Sequence, residues 1–229
     1  MDILEPLEIV REKVISNDGS TRATAYAMSN KILTLGSQTH VAWLDYPSKI
    51  MIRTYYHQRD RWGPAVHVGT GEDNHSGPAM CSDSDGYIHM VFGPHHDPFQ
   101  YAVSARPNDT SEWVKQPDFG VTGTYPSLVC DPDDTLHVTY RGLSRPPQLA
   151  YQQKPKDGEW TDPRPLVDAG TEDGYTQFGN ALFVEPDGTL HLAFHVYDIH
   201  AERGPSAGYL RSEDGGDTVK RALPHPHPA

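Results

Sequence analysis

The stretch PSLVCDPDDTLHVTYRGL (residues 126–143) decides the fold, because segments of this kind occur four times in the chain. The other three are KILTLGSQTHVAWLDY (31–46), PAMCSDSDGYIHMVFGPH (78–95) and NALFVEPDGTLHLAFHVY (180–197). Each segment reads as a strand, a tight turn and a second strand. The turns after the first copy carry the Asp, Pro and Gly residues that β-turns favour. Each copy is therefore predicted to form a β-hairpin.

A polar second half follows each hairpin and completes the repeat. In the first copy it is KIMIRTYYHQRDRWGPAVHV (49–68), which reads as a third strand, a turn and a fourth strand. One histidine recurs at the same place in every copy, at spacings of 49, 48 and 54 residues: His40, His89, His137 and His191. A tryptophan is expected to begin the fourth strand in three copies, with Val219 in that place in the last: Trp62, Trp113 and Trp160.

Four strands per repeat at this period are typical of a β-propeller. The prediction is an all-β propeller of four-stranded antiparallel blades, with almost no helix. We expect the blades near 31–69, 78–120, 125–168 and 178–224. A β-sandwich is the rival arrangement, but it does not explain a four-fold repeat. The chain, 1–229, is expected to form a single propeller domain.

Composition narrows the possible functions. The 229 residues carry a formal charge of −12, whereas nucleic-acid binding needs a basic surface, so a nucleic-acid partner is not expected. No apolar stretch approaches the roughly 20 residues of a membrane span, so no membrane partner is expected either. The N-terminus lacks the apolar core of a signal peptide, which makes a cytoplasmic location the default. Cys81 and Cys130 lack metal-type spacing and are interpreted as reduced strand residues, with a disulfide between them as the alternative.

The repeat separates two kinds of histidine. The four recurring histidines are expected to pack or to hydrogen-bond between blades, since a residue used in every blade serves the architecture. His75, His95 and His96 have no copies in the other repeats and need another explanation.

Hairpin geometry predicts where these histidines lie. The start of the first strand and the end of the second strand of a hairpin lie on one face of the propeller. His75 precedes the first strand of the second repeat, and His95 and His96 follow its second strand. Tyr125 and Arg141 hold the same places in the third repeat. We therefore expect these side chains to meet at one rim of the central channel.

This set of side chains suits removal of a proton next to a carboxylate. The planar guanidinium of Arg141 pairs well with a carboxylate. Tyr125 is a candidate proton carrier, and a neutral histidine gives or takes a proton near pH 7. His195 holds the Arg141 position in the fourth repeat and is a candidate for the same channel. The alternative is that Tyr125, Arg141 and His195 are ordinary rim residues.

The stretch DNHSGPAMCSDSDGYIHMVFGPHH (73–96) resembles the signature of BNR-repeat family proteins. Their best-understood members are ulvan lyases, seven-bladed propellers that cleave uronic-acid polysaccharides by β-elimination. The family pattern has a histidine in a D-x-H segment, a second histidine about twenty residues later, and a tyrosine and an arginine sixteen residues apart. His75, His95, Tyr125 and Arg141 match these positions and are the implied catalytic residues.

The resemblance also implies roles and partners. Arg141, helped by a histidine, would neutralise the uronate carboxylate, and Tyr125 or a histidine would take the adjacent proton. Tyr125 would then protonate the leaving oxygen. Asn74, His96 and His195 are the candidate substrate-binding residues, with an acidic polysaccharide or oligosaccharide as the partner and no cofactor.

The chain departs from the family pattern in having about four blades instead of seven. Residues 1–30 are candidates for a strand that closes the ring, and residues 222–229, which include His225 and His227, are expected to be disordered. Unpaired strands at an open edge favour self-association, so association through the open edges is a further expectation.

Other functions stay open at this point. SEDGGDTV (212–219) resembles the Asp-box turn of sialidases and other propellers, but a sialidase needs three arginines and only Arg141 stands at a suitable position. A non-catalytic propeller that binds glycans or proteins is another alternative. His75, His95 and His96 could bind a metal, but no metal is expected, since no carboxylate or cysteine pattern supports them as ligands.

Overall fold

The computed structural model describes residues 13–26, 28–142, 148–168, 176–198 and 206–221. Within these ranges the chain forms four sheets, each of four antiparallel strands in chain order. The sheets are arranged as the blades of a propeller, which confirms the predicted fold class. The single helical segment in the described ranges is the 3-10 turn His57–Arg59. No described helix has the length and apolar character needed to cross a membrane.

Each blade lies where the repeats predicted it. Blade 1 contains β1 (Ile32–Leu35), β2 (Gln38–Asp45), β3 (Lys49–Tyr56) and β4 (Arg61–Thr70). Blade 2 contains β5 (Ala79–Ser82), β6 (Ile88–Phe92), β7 (Phe99–Arg106) and β8 (Asp109–Phe119). Blade 3 contains β9 (Gly123–Cys130), β10 (Leu136–Gly142), β11 (Gln148–Lys154) and β12 (Arg164–Asp168). Blade 4 contains β13 (Thr176–Val184), β14 (Leu190–Asp198), β15 (Ser206–Ser212) and β16 (Lys220–Arg221).

The prediction that a tryptophan begins the fourth strand of a blade is confirmed only in part. Trp62 lies near the start of β4 and Trp113 lies within β8, but Trp160 and Val219 precede their strands. Trp160 instead stacks on Phe119 of blade 2 at 4.0 Å between ring centroids, so its role is packing between blades.

The first strand of each blade faces the propeller axis, because β1 contacts β5, β5 contacts β9, and β9 contacts β13. Apolar side chains on the facing sheets form the core between blades. Ile50 and Ile52 of blade 1 pack with Met80 and Met90 of blade 2. Full burial of one such side chain stabilises the fold by about 1.5–3 kcal/mol, so these contacts hold adjacent blades together.

Three of the recurring histidines bond within their own blade, so the prediction of bonds between blades is wrong for them. In each, Nδ1 pairs with a tyrosine hydroxyl of the third strand and Nε2 lies close to an acid of the hairpin turn. The pairs are His89 with Tyr101 (2.7 Å) and Asp83 (3.1 Å), His137 with Tyr151 (2.7 Å) and Asp131 (3.1 Å), and His191 with Tyr209 (2.6 Å) and Glu185 (2.9 Å). The hydrogen bonds of His89 and His137 tie the turn to the sheet, and in blade 4 the close approach of His191 to Glu185 takes the same place.

His40 is the exception that does bond between blades. Its Nδ1 lies 2.8 Å from the Thr54 hydroxyl, and its Nε2 lies 2.8 Å from the side-chain oxygen of Asn108 in blade 2. Blade 1 has no acid at the matching turn position, which leaves Nε2 available to the neighbouring blade. The hairpin turn of blade 3 makes another link, because Asp134 accepts hydrogen bonds from the Ser84 backbone and hydroxyl at 2.7 Å.

The N-terminal segment runs beside blade 1. Gly19 forms an isolated bridge with Asp45, and the Ser20 nitrogen donates to the Leu44 oxygen at 3.0 Å. The described part of residues 13–30 contains no strand, so the expected closing strand is not found there. Residues 1–12 and the predicted disordered tail 222–229 lie outside the described ranges. Cys81 and Cys130 are both free thiols.

The buried histidines predict how stability changes with pH. Burial lowers the pKa of His40, His89 and His137 below 6.5, partly offset by their hydrogen-bond partners. The folded state therefore holds them neutral, while the unfolded chain binds protons near pH 6.5. Their contribution to stability is complete above pH 6.5 and is lost as the pH falls through the folded pKa values. Thermal unfolding should show a lower midpoint at pH 5 than at pH 7.

A pair of variants isolates this effect. His137→Gln should unfold at a lower temperature at pH 7, because Asp131 and Tyr151 lose a buried partner worth about 1–3 kcal/mol. It should also lose part of the decline between pH 7 and 5. His67→Gln, at an exposed position, is the control and should match the parent. An unchanged decline in His137→Gln would contradict this account.

Candidate active site

The loop that leads into β5 is held tightly against the end of β6. Ser76 is buried, and its hydroxyl donates to the Gly93 oxygen at 3.0 Å. The same hydroxyl accepts hydrogen bonds from the backbone N–H groups of Glu72 (3.0 Å) and Asp73 (3.1 Å). A Cβ at Gly71 would lie 2.2 Å from the Cβ of Ser76, so only glycine fits there. The loop that carries His75 is therefore fixed relative to the residues that follow β6.

Asp73 joins the two histidines that the hairpin argument brings together. Its Oδ2 lies 3.0 Å from Nδ1 of His75 and 2.9 Å from Nδ1 of His95, and the two rings stack with centroids 4.0 Å apart. Burial alone would raise the pKa of Asp73, but the hydrogen bonds from His75 and His95 give a net lowering. An ionised carboxylate only accepts hydrogen bonds, so both Nδ1 atoms carry a proton, and the neutral form of each ring has its lone pair on Nε2.

Glu72 supports the second histidine of the pair. Its Oε2 accepts hydrogen bonds from the backbone N–H groups of His95 (2.9 Å) and His96 (2.8 Å), and its Oε1 lies 3.0 Å from Nδ1 of His96.

Burial lowers the pKa of His75, and the hydrogen bond to Asp73 partly offsets this effect. The neutral form of His75 is therefore favoured at pH 7.

Tyr125 and Arg141 come from the neighbouring blade at a β-bulge. The pairing register of β9 and β10 shifts between Thr139 and Arg141, and Tyr125 has a φ of +60°, which is unusual for a residue other than glycine. The Arg141 guanidinium carbon lies 5.8 Å from the centre of the Tyr125 ring, and that ring lies 6.2 Å from the His75 ring. His75, His95, Tyr125 and Arg141 therefore form one cluster at the junction of blades 2 and 3.

Tyr26 belongs to this cluster, although nothing in the sequence indicated it. Its ring centroid lies 4.1 Å from that of Tyr125 and 6.2 Å from that of His75. The buried Lys31 ammonium donates to the Tyr26 carbonyl at 2.8 Å, and burial lowers the pKa of Lys31 to about 8. Ser29 donates to the Pro126 carbonyl at 2.5 Å, which fixes the segment beside Tyr125. Residues 1–30 have no counterpart in the repeats, so no hairpin rule could place Tyr26.

Of the three predicted substrate-binding residues, His96 adjoins this cluster, whereas Asn74 and His195 are directed elsewhere. His96 is exposed, with its ring 4.0 Å from that of His95. Asn74 faces the N-terminal segment, where its amide donates to the Thr21 hydroxyl at 3.1 Å. His195 is exposed on β14 and lines a separate depression of blade 4 together with Met28.

Curated proteins with similar sequences are ulvan lyases. The protein named Ulvan Lyase-PL25 from Pseudoalteromonas sp. (strain PLSV) is 26% identical over 145 residues, which cover 52% of this chain and 30% of that protein. The ulvan lyase of Nonlabens ulvanivorans is 25% identical over 146 residues, covering 52% of this chain and 31% of that protein. The matched stretch thus spans about a third of the length of these relatives.

Solved structures agree with the fold. A PL25 ulvan lyase bound to -[GlcA(1-4)Rha3S]- has a TM-score of 0.73 at 18% identity, over 86% of this chain and 54% of that chain. A thermostable family-43 glycoside hydrolase has a TM-score of 0.56 at 14% identity, over 85% of this chain and 71% of that chain. Because such propellers carry different activities, these likenesses show the fold alone.

The family assignment comes from the sequence. A family model described as "BNR repeat-containing family member" matches residues 38–223. The matched region contains the clustered residues from His75 to Arg141, and Tyr26 lies before its start. The chain belongs to the BNR repeat-containing family.

Proposed function

We propose that this protein is a polysaccharide lyase that cleaves uronic-acid-containing polysaccharide by β-elimination. The observation that carries the proposal is the cluster of two histidines, a tyrosine and an arginine from two adjacent blades. Similarity to ulvan lyases supports the same reaction class. One such relative was solved with -[GlcA(1-4)Rha3S]- bound, so a polysaccharide with glucuronate joined 1→4 to a sulfated rhamnose is the first substrate to test.

Arg141 is the candidate partner of the uronate carboxylate. The protein carries a formal charge of −12, so an acidic glycan needs a local cation to bind. A fork-shaped guanidinium pairs with a carboxylate through two parallel hydrogen bonds. Neutralising the carboxylate lowers the energy of the carbanion that forms when the C5 proton leaves. The interaction therefore strengthens towards the transition state.

The proton transfers fall to Tyr125 and His75. A base takes the C5 proton, the C4–C5 double bond forms, and the C4–O bond breaks as the leaving oxygen gains a proton. Because Asp73 holds the Nδ1–H of His75, the Nε2 lone pair of His75 is available as the base. Tyr125 then donates its hydroxyl proton to the leaving oxygen. In the alternative assignment Tyr125 performs both transfers.

A glycoside hydrolase is less well supported. Most such enzymes use a pair of carboxyl groups on either side of the scissile bond. Sialidases differ, but they need three arginines, and only Arg141 stands at a suitable position. The acidic side chains of this cluster, among the described residues, are Glu72 and Asp73, and both are hydrogen-bonded to histidines. They hold imidazoles in place instead of flanking a sugar.

Tyr125 should be the most sensitive residue of the site. Tyr125→Phe keeps the ring and removes the hydroxyl, so turnover should fall about 10²–10⁴-fold while substrate binding changes little. The assay is the absorbance of the unsaturated product, on this chain and on any longer natural product of the gene. Tyr46→Phe, at an exposed position, is the matched control. Full activity of Tyr125→Phe would contradict the proposed role. Glycan binding without turnover by the unmodified protein would favour the binding-module alternative.

Tyr26 should limit access to the site. Tyr125 is 1% exposed and Arg141 is 5% exposed, and the Tyr26 ring lies against Tyr125. We therefore expect Tyr26 to move when a sugar reaches Tyr125. Tyr26→Ala should raise kcat/KM about tenfold or more, because the closed form no longer competes with substrate.

The control for this variant is Tyr46→Ala, which should leave kcat/KM unchanged. A large fall of kcat/KM in a folded Tyr26→Ala variant would show instead that Tyr26 contacts the substrate. That result would mean that Tyr26 binds the substrate and does not limit access to the site.

A further inference from the structure

Two of the candidate catalytic residues, together with Asp73, bring three potential metal-ligand atoms together. Asp73, His75 and His95 each offer one ligand atom, and these three atoms lie within 4.8 Å of one another. Oδ2 of Asp73 lies 3.0 Å from Nδ1 of His75 and 2.9 Å from Nδ1 of His95. The side chains are partly open to solvent, at 40%, 19% and 18% exposure, so an ion can reach them. We propose that Asp73, His75 and His95 form a binding site for one divalent transition metal ion, with zinc as the best fit. Metal binding here does not depend on the lyase assignment.

The donor set selects the kind of metal. Two imidazole nitrogens and one carboxylate oxygen suit zinc and neighbouring transition metals, whereas calcium and magnesium prefer oxygen ligands alone. Three protein ligands leave a fourth tetrahedral position for water or a substrate oxygen, as in catalytic zinc sites.

The distances are compatible with an inserted ion. Zinc bonds of about 2.0–2.1 Å place tetrahedral ligand atoms about 3.3 Å apart. The oxygen of Asp73 now lies 3.0 Å from one Nδ1 and 2.9 Å from the other. These two distances differ from the tetrahedral value by only a few tenths of an ångström, which small side-chain rotations can supply.

Hydrogen bonds from neighbouring groups hold the three ligand side chains in place, as they do around the ligands of known metal sites. Oδ1 of Asp73 accepts the His75 backbone nitrogen at 2.7 Å, and Glu72 accepts the His95 backbone nitrogen at 2.9 Å. Ser76 fixes the backbone of the loop against Gly93. The site is thus supported by the same loop structure that orients the histidines.

Metal binding changes the tautomer of both histidines. In the metal-free protein each Nδ1 carries a proton that it donates to Asp73. The ion needs the Nδ1 lone pairs, so each proton moves to Nε2 and the rings stay neutral. If the lyase proposal is correct, His75 then lacks a basic Nε2 and the ion inhibits the reaction. That consequence rests on the proposed function, whereas the binding itself does not.

The first experiment measures binding of zinc to the full chain by calorimetry, after treatment with a chelator and dialysis. One equivalent should bind. Asp73→Asn and His95→Gln should each weaken the affinity at least about 100-fold, because loss of an outer partner alone costs about 10–100-fold. Glu72→Gln, which keeps all three ligands, should weaken it about tenfold. Circular dichroism verifies that each variant is folded.

The tail residues His225 and His227 are a competing source of ligands. A variant with both changed to Ala should bind zinc with unchanged affinity. Loss of binding in this variant, with binding retained in Asp73→Asn and His95→Gln, would overturn the proposal. Absence of any binding by the unmodified chain would also overturn it.

Two spectroscopic measurements test the geometry. Cobalt(II) in place of zinc should give visible absorption typical of four- or five-coordinate sites, and Asp73→Asn should abolish it. Long-range ¹⁵N NMR should show the protons of His75 and His95 moving from Nδ1 to Nε2 when zinc is added. Protons that stay on Nδ1 at saturating zinc would contradict the assigned ligands, whatever the activity of the protein.

Discussion

Antiparallel pairing of the first two strands in each blade is the constraint on which the site depends. In blade 2, Ala79 pairs with Val91, so the residues before β5 and after β6 meet at one end of the hairpin. In blade 3, Thr124 pairs with Arg141 in the same way. Contact between β5 and β9 places these two ends side by side. Residues distant in sequence thereby share one site without any dedicated element to bring them together.

Asp73 determines the chemistry that this arrangement offers. One carboxylate accepts hydrogen bonds from two stacked imidazoles and fixes both tautomers, which leaves the Nε2 lone pairs for other partners. The recurring histidines show the same principle in the core, where His89 and His137 each pair with a turn carboxylate. In the core the second nitrogen bonds a tyrosine of the sheet. At the site, the histidines come from loops instead, and their environment is partly open to solvent.

The sequence predicted the features that follow from repetition and pairing. The period identified the blades, and hairpin geometry brought His75 and His95 together with Tyr125. Features that depend on individual side-chain partners were not predictable in this way. The partner of a core histidine depends on whether its turn carries an acid, which separates His40 from the other three. Tyr26 lies in a segment without a repeat, and the function of Asp73 appears only once both imidazoles are seen to share it.

The central claim is that substrate binds across blades 2 and 3, with its carboxylate on Arg141. The most direct test is a crystal structure of the Tyr125→Phe variant with a glucuronate-containing tetrasaccharide. The account predicts the carboxylate within hydrogen-bond distance of Arg141, the C5 atom about 3–3.5 Å from Nε2 of His75, and Tyr26 displaced. A saccharide bound on another surface, with Tyr26 still packed on Tyr125, would contradict it.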